Sequence, residues 1–240
     1  MMLTDGYWQL VSIKLTFNKM TLMKKSKDND VDQLTAQDFV DEAYRLSDEE
    51  DMLVFYRKWA EEYDAKMMDG LGYCSPRLIA ERLHAYLPDK EAKILDIGCG
   101  TGLTAKYLHD VGFSALHGLD LSPDMVDVAG KRGIYDGLKV VDVNLPLPYL
   151  DHEFSGIISS GTFTHGHVGP EPFHEITRII RPRGFLACTI HSELWQKEGF
   201  EQTLSALEQS NTLKCVYREM GRFFDDGELE GWFCVYQKLG

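Results

Sequence analysis

Ile94 to Gly102 reads I-L-D-I-G-C-G-T-G, and this stretch decides the fold. Ile94, Leu95 and Ile97 form a short apolar run that leads into glycines on alternate positions, Gly98, Gly100 and Gly102. An amphipathic stretch opens at Leu103. That is the layout of a buried parallel strand, a tight turn and a helix start. A Cβ in such a turn would hold a ligand away from the main chain, and glycine removes it. The free N–H groups at the helix start then face the ligand, so the pattern predicts a nucleotide-like group over the turn.

Spacing separates two cofactor classes. The dinucleotide fingerprint G-x-G-x-x-G/A ends on a small residue that lets the helix pack against the strand. Here Leu103 occupies that position and the pattern is G-x-G-x-G, which argues against a nicotinamide-dependent oxidoreductase. The downstream sequence repeats a strand followed by a polar end. His117 to Met125 reads H-G-L-D-L-S-P-D-M, about twenty residues past the turn, as one strand–helix–strand unit requires. Lys139 to Asp142 reads K-V-V-D, and Phe154 to Ser160 reads F-S-G-I-I-S-S, followed by Gly161.

These four blocks resemble the class I S-adenosylmethionine-dependent methyltransferases. The resemblance implies a Rossmann-like, seven-stranded, mostly parallel sheet with helices on both faces and an antiparallel C-terminal hairpin. It implies S-adenosylmethionine as cofactor and methyl transfer to a small-molecule or protein acceptor. Asp96, Gly98, Cys99, Gly100, Thr101 and Gly102 match the turn beside the methionine part of that cofactor. Asp120 matches the acid that accepts hydrogen bonds from both ribose hydroxyls, a task suited to the two oxygens of a carboxylate. Leu121 and Met125 would flank the adenine, and Asp142, with the Val143 backbone, would meet its amino group. Ser159 would abut the amino-acid tail and the methyl group. Phe55 to Leu71 and the segment G-T-F-T-H-G-H-V-G-P-E-P after Ser160 resemble a subgroup that includes the protein of the Williams-Beuren syndrome chromosomal region. No Asp/Asn-Pro-Pro-Tyr follows the fourth strand, where S-S-G-T-F stands, which argues against adenine or glutamine-amide acceptors. A non-catalytic binding or regulatory protein on the same fold is the alternative, and the intact Gly98, Gly100 and Asp120 speak against it.

A sulfonium is already electrophilic, so a general base is needed only for an acceptor that carries a proton. His165 is the first candidate, in the loop after the fourth strand with His167 beside it, and His191 is the second. His174 reads as structural. Tyr63, with Tyr56 and Tyr73 in the same N-terminal region, offers a ring to close over a positive sulfur. Trp59 and Trp195 read as packing residues.

The chain has 240 residues and a formal net charge of −13, a balance that disfavours wrapping a phosphate backbone. Its five cysteines form no C-x-x-C pair and suit a reducing, cytoplasmic setting. No run is long and apolar enough to predict a membrane span, and no metal site is expected. Residues 1–33 read as a flexible, Lys-bearing extension, for which organelle targeting is a second reading. Residues 34–91 read as a helical cap, with helices over 34–47, 49–68 and 75–87, the last capped by Ser75 with Pro76 behind it. Residues 92–240 read as the cofactor-binding core.

Overall fold

The computed structural model describes Glu42 and residues 49–60, 62–70, 72–164, 168–225 and 229–240, all within one compact unit, Thr35–Gly240. Helix α1 (Glu49–Trp59), a π-helical turn (Ala65–Gly70) and helix α2 (Ser75–Tyr86) lead into the sheet. Strand β1 (Ile94–Ile97), α3 (Leu103–Asp110), β2 (Leu116–Asp120), α4 (Pro123–Lys131) and β3 (Gly137–Val140) form the first half. The second half is β4 (Phe154–Phe163), α5 (Phe173–Ile179), β5 (Ile180–His191), α6 (Leu194–Lys197), α7 (Phe200–Gln209), β6 (Leu213–Arg222) and β7 (Glu230–Lys238). The seven strands are ordered β3-β2-β1-β4-β5-β7-β6, parallel from β3 to β5, with β7 antiparallel to both β5 and β6. Helices pack around this sheet, as the alternation of elements requires. The order reverses between β1 and β4, and open α/β sheets bind ligands in the crevice at such a point.

Four differences from the sequence reading have physical causes. The helix expected over 49–68 stops at Trp59, and a separate π-helical turn follows. Tyr56, Trp59, Tyr63 and Met67 keep one apolar period across the break, so the period hides it. Ser75 is not the cap of α2. Cys74 holds that place without a side-chain bond, and Ser75 Oγ instead lies 2.8 Å from Ser160 Oγ. Strand β4 runs four residues past Ser159, because left-handed Gly161 (φ +77°) absorbs a register shift and pairing resumes at Phe163. Strand β5 likewise starts at Ile180, with a bulge at Arg183 (φ +67°) inside the stretch R-P-R-G, residues 181–184, whose Pro182 and Gly184 read as a turn before a strand over 184–191. The expected helix over 34–47 lies outside the described residues apart from Glu42, and residues 1–33 lie wholly outside them.

One apolar core cluster runs from β1 and β2 across β4, β5 and β7 and takes in α5 and α7. Phe163, Phe173 and Phe200 are almost fully buried and stack mutually, with ring centroids 4.9–6.0 Å apart. Asp96 is buried in mid-sheet, where Tyr135 Oη donates to its Oδ2 at 3.0 Å. No described helix is long and apolar enough to cross a membrane.

Phe173→Ala should lower the unfolding free energy by about 3–5 kcal/mol, read from the midpoint of urea denaturation. A second expectation concerns pH. Burial raises the Asp96 carboxyl to about 7 against the opposing Tyr135 bond. Across the interval below that value the folded chain keeps a proton that the unfolded chain has lost, so this group lowers stability as pH rises. Asp96→Asn removes the titration while retaining an acceptor for Tyr135. Its melting temperature should therefore improve relative to wild type between about pH 5 and about pH 8.

Candidate active site

The crevice at the carboxyl ends of β1, β2 and β4 opens into a cavity of about 390 Å³. Its floor is the glycine turn after β1. Gly98, Gly100 and Gly102 all have positive φ (+64°, +52° and +88°), a conformation that side chains resist. A Cβ on Gly98 would lie 2.1 Å from Thr162 Oγ1, so that position must be bare. Beside Gly100 the space is open for 4 Å, and its main chain faces the cavity.

Asp120 ends β2 at the cavity wall. Its Oδ2 accepts from the Gly100 N–H at 2.8 Å and its Oδ1 from the Ser122 N–H at 2.9 Å. Its two oxygens offer four lone pairs, more than the backbone amides use. Burial raises the Asp120 carboxyl above the usual range, against the pull of these amides. Ser122 caps α4, accepting from Met125 N at 3.3 Å, which seats Met125 in the wall. Asp142 follows β3 in a local turn, its Oδ1 accepting from the Asn144 N–H at 2.8 Å.

Of the residues chosen from sequence, Tyr63, Gly98, Cys99, Gly100, Asp120, Leu121, Met125, Asp142 and Val143 line this one cavity. Four others do not. Asp96 lies beneath the turn, engaged by Tyr135. Gly102 backs the turn, with Arg132 and Tyr135 atoms 3.1 Å from where its Cβ would be. Ser159 is buried below the surface; its hydroxyl and that of Thr162 lie 2.8 and 3.0 Å from the Ile97 carbonyl, holding the end of β1 against β4. His191 is buried behind Phe223, and its Nδ1 accepts from the Glu193 N–H at 3.2 Å. His165 and His167 lie outside the described residues. Burial pushes the Cys99 thiol well up, as suits a space-filling residue rather than a nucleophile.

Sequence reading misses three groups. The first is a tie between cap and turn. Thr101 Oγ1 donates to Asp64 Oδ1 at 2.5 Å, Arg132 Nη2 donates to Asp64 Oδ2, and Arg132 Nε donates to the Thr101 carbonyl at 2.5 Å. The second is the replacement of Ser159 at the wall by Ser160, Gly161 and Thr162. The third is Phe223 and Phe224, which the β6–β7 connection brings to the far end of the cavity. None of these has a local motif; each depends on residues distant in sequence. Among the described residues no group of three or more His, Cys, Asp or Glu converges as a metal site.

Comparison with known proteins places this geometry in a family. The model of a methyltransferase domain matches residues 95–188. Methyltransferase-like protein 27 of Homo sapiens is 36% identical over 174 residues, covering 70% of each chain. An 18S rRNA (guanine-N(7))-methyltransferase of Bos taurus is 39% identical over 71 residues, 30% of this chain and 25% of that protein. A SAM-dependent methyltransferase of Methanosarcina mazei has a similar fold, with a TM-score of 0.53 at 20% identity over 66% of this chain and 97% of that one. With a relative of this identity and coverage and a fold of the same class, the chain belongs to the class I S-adenosylmethionine-dependent methyltransferases.

Proposed function

We propose that S-adenosylmethionine lies along the glycine turn, with its ribose hydroxyls on Asp120 and its methionine part beside Gly98 and Gly100. The observation that carries this is the open space beside bare, left-handed Gly100, next to a carboxylate with lone pairs to spare. Leu121, Met125 and Val143 offer apolar contact to the adenine, and Asp142 an acceptor for its amino group. Tyr63 stands on the cap side of the cavity. The cofactor supplies an electrophilic methyl group on sulfur; the protein holds it, orients the acceptor and excludes water. The Asp64–Arg132–Thr101 tie seats the cap segment on the turn and thereby holds the cofactor's exit closed.

The acceptor is a small molecule or a protein side chain in this reading. Among the described residues the cavity wall carries Asp120 and Asp142 but no Lys, Arg or His, a poor surface for a phosphate backbone. Five free thiols support a reducing, cytoplasmic setting.

Calorimetric titration should show micromolar binding of S-adenosylmethionine and none of NADH. Asp120→Asn should weaken that binding by about tenfold or more, since one charge-assisted acceptor is lost. A variant that binds as tightly as wild type would remove the ribose assignment. Wild-type affinity should fall as the pH is lowered, starting above the ordinary carboxylate range, because protonation of Asp120 removes an acceptor; Asp120→Asn should lack this fall. Asp64→Ala should speed cofactor dissociation several-fold in stopped-flow measurements while leaving the sheet folded.

A further inference from the structure

The proposed cofactor placement leaves one part of the cavity over, a lobe at the end of β4. Tyr73, Pro76, Ser160, Val168, Phe223 and Phe224 wall it. Tyr73 and Phe224 are bridged as single residues of an antiparallel pair, and their rings lie 5.1 Å apart at 35°. They form a flat apolar side. Polar atoms in this lobe are hydroxyls. Ser75 Oγ and Ser160 Oγ lie 2.8 Å apart, and the Tyr73 hydroxyl lies beside them. That hydroxyl lies 2.7 Å from where a Cβ on Gly161 would be, so glycine at the β4 bulge makes room for it. Thr164 Oγ1 is buried in the same wall and has no hydrogen-bond partner among the described residues.

Among the described residues that wall this lobe, none carries a charge. The charged side chains described around the cavity, Asp120 and Asp142, belong to the cofactor end. An acceptor with a carboxylate or phosphate would be desolvated here with no cation among the described lining residues to meet it. An ammonium group would be desolvated too, and would stand against the positive sulfonium. We propose that this lobe is the methyl-acceptor subsite, and that its ligand is a flat, uncharged, mainly apolar small molecule whose single polar atom meets the Tyr73–Ser160 hydroxyls. The inference rests on the cofactor placement above, which leaves the lobe free. Tyr73 positions the ligand: burial raises its phenol above the ordinary range, which keeps it a neutral donor.

Two probes share one ring system and differ in charge at neutral pH: 2-naphthol and 2-naphthoate. The full chain is saturated with S-adenosylhomocysteine, and each probe is titrated by calorimetry. The expected result is binding of 2-naphthol at least about tenfold tighter than of 2-naphthoate. Tyr73→Phe should weaken 2-naphthol binding about threefold to tenfold, with S-adenosylhomocysteine affinity unchanged. Equal or tighter binding of 2-naphthoate, no binding of either probe, or indifference of 2-naphthol to Tyr73→Phe would overturn the proposal. So would transfer of label from methyl-labelled cofactor to a cell extract's protein or RNA fraction and not to its small molecules. Failure of the wild type to bind S-adenosylhomocysteine is a separate result and strikes the cofactor placement instead.

Discussion

Two of the backbone amides that meet the Asp120 carboxylate form the interaction on which the site depends. One belongs to Gly100 in the turn after β1, the other to Ser122 at the start of α4. Through them a single side chain fixes the turn to the end of β2 and sets the first residue of the next helix. The turn needs this brace, because a left-handed glycine has no side chain with which to hold itself in place. Ser159 and Thr162 do the corresponding work on the other side, converging on the Ile97 carbonyl. The turn after β1 is thus fixed by hydrogen bonds on both flanks, to β2 on one side and to β4 on the other.

The part of the molecule near the glycine turn is legible in the sequence because its determinants are local. Buried parallel strands read as apolar runs, and Asp120, Leu121 and Met125 follow their strand within a few residues. Strand ends are less legible. Gly161 and Arg183 let pairing continue through a bulge, where a turn residue suggests that it stops. The break after Trp59 is hidden for another reason: the apolar period survives it. Cofactor-side residues therefore come from one stretch of chain, whereas the opposite wall joins Tyr73 to Phe223 and Phe224, which only the terminal hairpin brings near.

Asp64 shows how little of an electrostatic network a sequence reveals. An acid that follows Glu61 and Glu62 in a helical stretch looks like part of a solvated face. In the folded chain both its oxygens are used, one by Thr101 and one by Arg132, and Arg132 also reaches the Thr101 carbonyl. Arg is suited to this because its planar fork donates in two directions at once. Trp59, with the ammonium groups of Lys58 and Lys66 each 4.5 Å from its ring centre, anchors the same segment from behind.

The grip that the proposed placement puts on the cofactor, at Asp120, Gly100 and Met125, falls on parts of it that the reaction leaves unchanged. Binding of that kind does not distinguish a spent molecule from a fresh one. The demethylated by-product should then compete for the same wall nearly as an equal, and turnover becomes a matter of the ratio between the two in the surrounding fluid. Such a catalyst answers to whatever clears its waste.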